Sequence, residues 1–147
     1  MFSRFVPIAI VLAFPVVITY NSTKNPHEVF DRWKDRLEKE HPECYKSSGV
    51  DQGDVDDYWA LIRIPSTKNF KCYLECMYRS FHFINDDGVI NADQLVEDVE
   101  NVTYDIVNDC NAERSNTTDR CEEVYDFFIC VLHHHSVTPT AVVGAST

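Results

Sequence analysis

Six cysteines, at positions 44, 72, 76, 110, 121 and 130, are the residues of this 147-residue chain whose chemistry is most constrained. A thiol can close a disulfide, hold a soft metal ion or act as a nucleophile, and the spacing bears on which. No C-x2-C pair is present, so the zinc reading is the weaker one, whereas an even count behind an apolar leader points to bridges. Cys72 and Cys76 lie four residues apart. On a helix they share one face, and a bridge between them would span a single turn and constrain little, so each is expected to reach another helix. Spacing alone leaves the pairing open. A bridge that closes a loop of about thirty residues contributes roughly 2–4 kcal/mol, and helices stapled from outside can keep a cavity that an unstapled small domain could not.

Other chemistry finds little footing. Asn85, Asp87 and Asn91 around Gly88 imitate a calcium loop, but with Gly88 as its sixth position the first and twelfth fall on Phe83 and Gln94, which supply no carboxylate. Asp51, Asp54, Asp56 and Asp57 read as a solvated run that favours a helix N-terminus rather than as a metal site. His133, His134 and His135 are adjacent, and neighbours on a helix point about 100° apart, so they cannot share one centre. Imidazole is the side chain that gains charge between about pH 5 and 8, which makes this triplet a candidate pH switch acting on the chain's end. No G-x-S-x-G, H-E-x-x-H, P-loop or dinucleotide fingerprint occurs, and His41-Pro42-Glu43 lacks the P-C-x-x-C partner of a zinc deaminase. The adjacent Cys-Cys and His-Asp pairs of secreted phospholipases are missing too. Neither an enzyme, a cofactor nor a resident metal is expected.

The elements that position these residues read as helices. Apolar residues recur at intervals of three and four between Asn, Ser, Thr and Pro punctuation, with no alternation of a half-buried strand. Asn25 and Pro26 open a first helix with Val29, Phe30, Trp33 and Leu37 on one face up to Pro42. After a Ser47-Ser48-Gly49 turn, Val55, Trp59 and Ile62 predict a second helix stopped by Pro65. Thr67 or Asn69 opens the third and most apolar one, carrying Phe70, Tyr73, Leu74, Met77 and Phe81. Asn91 caps a fourth with Leu95, Val96 and Val99, and Tyr104, Ile106 and Val107 lead into Cys110. Thr118 or Asp119 opens the last, with Cys121, Val124, Tyr125, Phe128 and Leu132.

Composition agrees with one acidic domain: 44% hydrophobic residues, four glycines, six prolines and a formal charge of −11. The lack of any basic block removes the counterion-release drive for nucleic acid or anionic lipid. Residues 1–19 carry Arg4 and then an apolar run from Phe5 to Ile18 without an acid, the layout of a cleaved signal peptide. A membrane anchor is the rival reading, but the run is short of the roughly 20 apolar residues a span needs and contains Pro7 and Pro15. A cut after Thr19 leaves residues 20–135 as the folded domain and 136–147 as a loose tail. Secretion would open the sequons at Asn21, Asn101 and Asn116 to glycosylation.

The spacing C-x27-C-x3-C-x33-C-x10-C-x8-C resembles the signature of insect odorant-binding and pheromone-binding proteins of the six-cysteine PBP/GOBP type. The segment Lys71-Cys72-Tyr73-Leu74-Glu75-Cys76-Met77 resembles that family's third helix, Asp86-Asp87-Gly88-Val89-Ile90 its following turn, and Asp119 to Val124 with Tyr125, Phe128 and Cys130 its last shared helix. The match covers roughly Asn25 to Leu132. The resemblance implies an all-α bundle of about six helices, stapled by three disulfides around an apolar cavity. It implies Cys44 paired with Cys76, Cys72 with Cys121 and Cys110 with Cys130. It also implies a secreted, non-catalytic carrier that takes small hydrophobic ligands such as odorants or pheromones through aqueous fluid, with a membrane receptor as a partner at delivery. Saliva, seminal fluid or haemolymph are alternative settings, and a secreted interaction protein with a filled core is the rival of a different class.

Trp59, Ile62, Leu74, Met77, Phe81, Phe127, Phe128 and Leu132 are the apolar residues expected near such a cavity, with Tyr73 or Tyr125 offering a hydroxyl. Each of them singly is also an ordinary core residue.

Overall fold

The computed structural model describes residues 25–114 and 117–137, which fold into seven α-helices. They are α1 (Pro26–Glu40), α2 (Glu43–Ser48), α3 (Gln52–Leu61), α4 (Lys68–Ser80), α5 (Ala92–Asp98), α6 (Tyr104–Glu113) and α7 (Arg120–Val137). The expected leader, the sequons at Asn21 and Asn116 and the chain beyond Val137 lie outside the described residues. Among the described residues no helix is long and apolar enough to cross a membrane.

Caps written into the sequence start most of these helices. The Asn25 side chain accepts from the His27 N–H ahead of Pro26, Thr67 from Phe70, Asn91 from Gln94 and Thr103 from Ile106. Each satisfies a backbone donor that the first helical turn leaves without a partner. Asp51 does the same for Gly53 at 2.7 Å, Asp56 accepts from Gln52 at 2.8 Å and Asp54 accepts from Thr67. The acidic run at the start of α3, Asp51 at its cap and Asp54 and Asp56 within it, therefore serves helix capping and side-chain bonding. Asp119 accepts from the Cys121 N–H and starts α7.

Seven helices stand where about six were expected, and the additional one is α2. Six residues are too few to display a period, so the segment reads in the sequence as the approach to a turn. It is helical because Cys44 is fully buried and bonded to α4, Ser48 Oγ donates to the Cys44 carbonyl at 2.7 Å, and Gly49 closes the end at φ 65°. α3 ends at Leu61, with Ile62 in the left-handed region at φ 52°, and so stops before Pro65 is reached. At the other end α7 runs through Val137, two residues into the segment expected to be a tail.

Three disulfides join Cys44 to Cys76, Cys72 to Cys121 and Cys110 to Cys130, the pairing that the family resemblance implies. They link α2 to α4, α4 to α7 and α7 to α6 in one covalent series. The tightest packing follows the same series, with α4 against α7 and α2, and α6 against α7. Lys68–Asp119 and Lys71–Glu122 ion pairs flank Cys72–Cys121 along the α4–α7 seam. Phe70, Leu74, Val124 and Phe127 fill that seam at 1% exposure or less. Glu75, the one buried charged residue among those described, is held by both Arg79 Nε at 3.0 Å and Nη2 at 3.1 Å. α1, α3 and α5 carry no cysteine; packing holds them, with Trp59 of α3 donating to the Tyr73 hydroxyl of α4 and Asp93 of α5 accepting from the Tyr104 hydroxyl of α6.

Tyr58, Tyr73 and Tyr78 belong to this core, and burial pushes all three phenols above their ordinary range. Above about pH 10 an unfolded chain sheds these protons while the folded one keeps them, so folded protein binds more protons and stability falls as pH rises. Phenolate absorbance is expected to show these three ionising together with loss of the fold. Their ionisation with helix content intact would contradict the burial. For the staples, the loops of 49 and 20 residues predict that C72S/C121S costs about 4 kcal/mol and C110S/C130S about 3 kcal/mol in urea unfolding. The reverse ranking would show that strain or residual structure, not loop closure, sets their worth.

Candidate functional site

The stapled pair α4 and α7 forms one wall of a cavity of about 110 Å³, and the three unstapled helices form the other. From α4 come Met77 and Tyr78, and from α7 come Phe128, Val131 and Leu132. Facing them are Val29, Phe30 and Trp33 of α1, Tyr58 of α3, Leu95 and Asp98 of α5, with Phe83 from the α4–α5 connection and Val99 and Glu100 after α5. The depth is set by residues that are buried, Tyr58, Met77, Tyr78, Phe83, Leu95, Phe128 and Val131. Val29, Phe30, Trp33, Leu132 and the Asp98–Glu100 segment are part-exposed and make the rim. An apolar void of about 150 Å³ takes benzene, so this one suits a guest of single-ring size.

Edge-to-face and tilted ring contacts fix the deep aromatic rings. Tyr58 meets Phe30 at 5.5 Å, Phe70 at 5.3 Å and Trp59 at 4.6 Å between ring centres, while Tyr78 meets Phe83 at 5.4 Å and Phe128 at 6.3 Å. The polar groups on the wall are few. Asp98 Oδ2 accepts from Gln94 Nε2 at 2.8 Å, Glu100 stands at the rim, and Tyr58 and Tyr78 are the buried tyrosines of the wall. Among the described lining residues there is no Lys, Arg or His.

Of the residues expected near a cavity, Met77, Phe128 and Leu132 line it. The structure places the others elsewhere. Trp59 is buried one residue beyond Tyr58, turned by the helix away from the cavity, and its Nε1 donates to the Tyr73 hydroxyl at 3.0 Å. That bond occupies the hydroxyl that Tyr73 was expected to offer. Tyr125 lies outside, with Lys71 Nζ 4.7 Å above its ring. Leu74 and Phe127 are fully buried in the α4–α7 seam, and Phe81 packs between Trp33 and the Arg36 guanidinium. Ile62 caps α3 and does not reach the cavity. Sequence reasoning missed α1 as a wall although it found that helix's apolar face. It also missed Tyr58, Tyr78 and Val131, the last of which completes an i, i+3, i+4 run with Phe128 and Leu132.

Elsewhere, the turn before α5 is built by Asn85, whose Oδ1 accepts from the Asp87 and Val89 N–H groups. Arg114 donates to the Gly88 carbonyl at 3.0 Å and Arg120 to that of Asp86, while the Val89 carbonyl, at the position where a calcium loop presents one, accepts from the Asn85 N–H at 3.0 Å. His133 and His134 border a polar recess beside Cys110–Cys130, away from the cavity. Cys110, Cys130 and His134 gather there, but the disulfide leaves neither sulfur a thiolate to bind metal. Asn101 is exposed in a left-handed turn at φ 65° next to the cavity rim.

The PBP/GOBP family model matches residues 27–134. No curated protein and no solved structure matches the chain. The family is one of secreted binding proteins that carry small hydrophobic ligands, and it is not a family of enzymes. By the family match over residues 27–134, the all-α fold and the three disulfides among six cysteines, this chain belongs to the PBP/GOBP family.

Proposed function

We propose that the protein is secreted and takes small hydrophobic molecules, odorants, pheromones or their like, through aqueous fluid to a receptor at a membrane. The observation that carries this reading is the cavity itself, with buried aromatic and aliphatic walls and a part-exposed rim. A filled core, which an interaction protein of the same fold would use, has no such space. The work done is transfer: a guest that hides about 200 Å² of apolar surface gains about 5 kcal/mol before the cost of immobilising it. Even with no such cost that gain corresponds to a dissociation constant of about 0.2 mM, so a guest of this size is held weakly and released readily. Entry and exit fall to the wall made by α1, α3 and α5, because these helices can shift without straining a disulfide.

Trp33 lies on the rim and Trp59, the other tryptophan, behind the wall, so intrinsic fluorescence reads occupancy directly. Titration of the oxidised chain with a single-ring hydrocarbon such as toluene is expected to give a saturable change that W33F abolishes and that reduction of the disulfides removes. A linear, non-saturating response from correctly bridged protein would refute a carrier and favour the interaction protein.

A further inference from the structure

Tyr58 and Tyr78 are 2% and 5% exposed, and both line the cavity. Among the described residues no protein group hydrogen-bonds either hydroxyl, yet no buried side-chain oxygen or nitrogen is left sealed without a partner. Both statements hold together if each hydroxyl oxygen keeps some accessible surface, and the cavity is the space that both tyrosines line. Nearly every buried polar group in a folded protein is bonded, and leaving one unbonded is unfavourable, so two phenols in this position mark where a guest's polar atom goes. Tyr73 differs, since its hydroxyl oxygen accepts from Trp59 Nε1 and it is not among the residues lining this cavity.

We infer that Tyr58 and Tyr78 form a paired hydrogen-bonding subsite that selects neutral guests bearing one oxygen, such as single-ring or short-chain alcohols, phenols and ketones, over hydrocarbons and carboxylates. This rests on the carrier reading and names its ligand class. Each phenol both donates and accepts. Two together can receive an alcohol, which accepts from one and donates to the other, or a carbonyl, which accepts from both. Burial keeps both phenols protonated through the physiological range, so the subsite is neutral. A carboxylate guest finds no cation on the described wall and meets Asp98 and Glu100 at the rim. It would be desolvated with no opposite charge to compensate. The rings are braced by Phe30, Phe70, Phe83 and Phe128, so the hydroxyls are held in place before the guest arrives.

Phenol, toluene and benzoate form a nearly isosteric set for calorimetric titration at pH 7. Wild-type protein is expected to bind phenol and toluene and to take benzoate at least about tenfold more weakly than phenol. In Y58F/Y78F the ratio of phenol to toluene affinity is expected to fall about tenfold, with each single variant in between and toluene binding retained as proof that the cavity is intact. An unchanged ratio in the double variant, or benzoate bound as well as phenol, would overturn the subsite while leaving the carrier standing. Binding of toluene without phenol in the wild type would do the same. If no member of the set binds, the carrier reading and the subsite fall together.

Discussion

The covalent series α2–α4–α7–α6 is the constraint on which the rest of this structure depends. A chain of this size and net charge has little core to set against chain entropy, and like charges work against compaction. Two of the three bridges meet α4 and two meet α7, so these two helices are the hub of the covalent network. With that pair fixed, Phe70 and Leu74 of α4 and Val124 and Phe127 of α7 are buried to 1% exposure or less. The neighbouring face is thereby free to be packed imperfectly.

Magnitudes show why this matters. A void of about 110 Å³ costs about 2.6 kcal/mol at roughly 24 cal/mol per Å³, and one staple closing 32 residues contributes about 3.7 kcal/mol. A single bridge therefore outweighs the cavity. The division of labour between the two walls follows from the same facts. α4 and α7 hold the aromatic floor still, while α1, α3 and α5, which no disulfide holds, form the side that can yield.

Much of this was legible in the sequence, and the parts that were not share a cause. Caps at Asn25, Thr67 and Asn91 are local chemistry, so these helix starts could be read from neighbouring residues, while the Thr103 cap of α6 was not singled out. α2 was hidden because its helicity comes from a bridge to α4 and not from any period of its own. The cavity lining was read only in part because helical periodicity identifies a buried face without saying what it is buried against. Leu74 and Met77 sit on one stripe of α4, yet one fills the α7 seam and the other faces the cavity. Tyr58 and Trp59 are sequence neighbours about 100° apart on α3, and that turn decides which of them a guest meets. Such distinctions belong to tertiary packing.

The central claim is that the cavity between the stapled and unstapled walls is the place where a guest resides. Its most direct measurement is a chemical-shift map of the isotopically labelled, oxidised protein titrated with phenol. The account expects the largest changes at the Trp33 indole, the Met77 methyl group, Phe128 and Val131, with α2 and α6 nearly silent. Saturable changes centred instead on the polar recess by Cys110–Cys130, or spread over the surface without saturating, would contradict it.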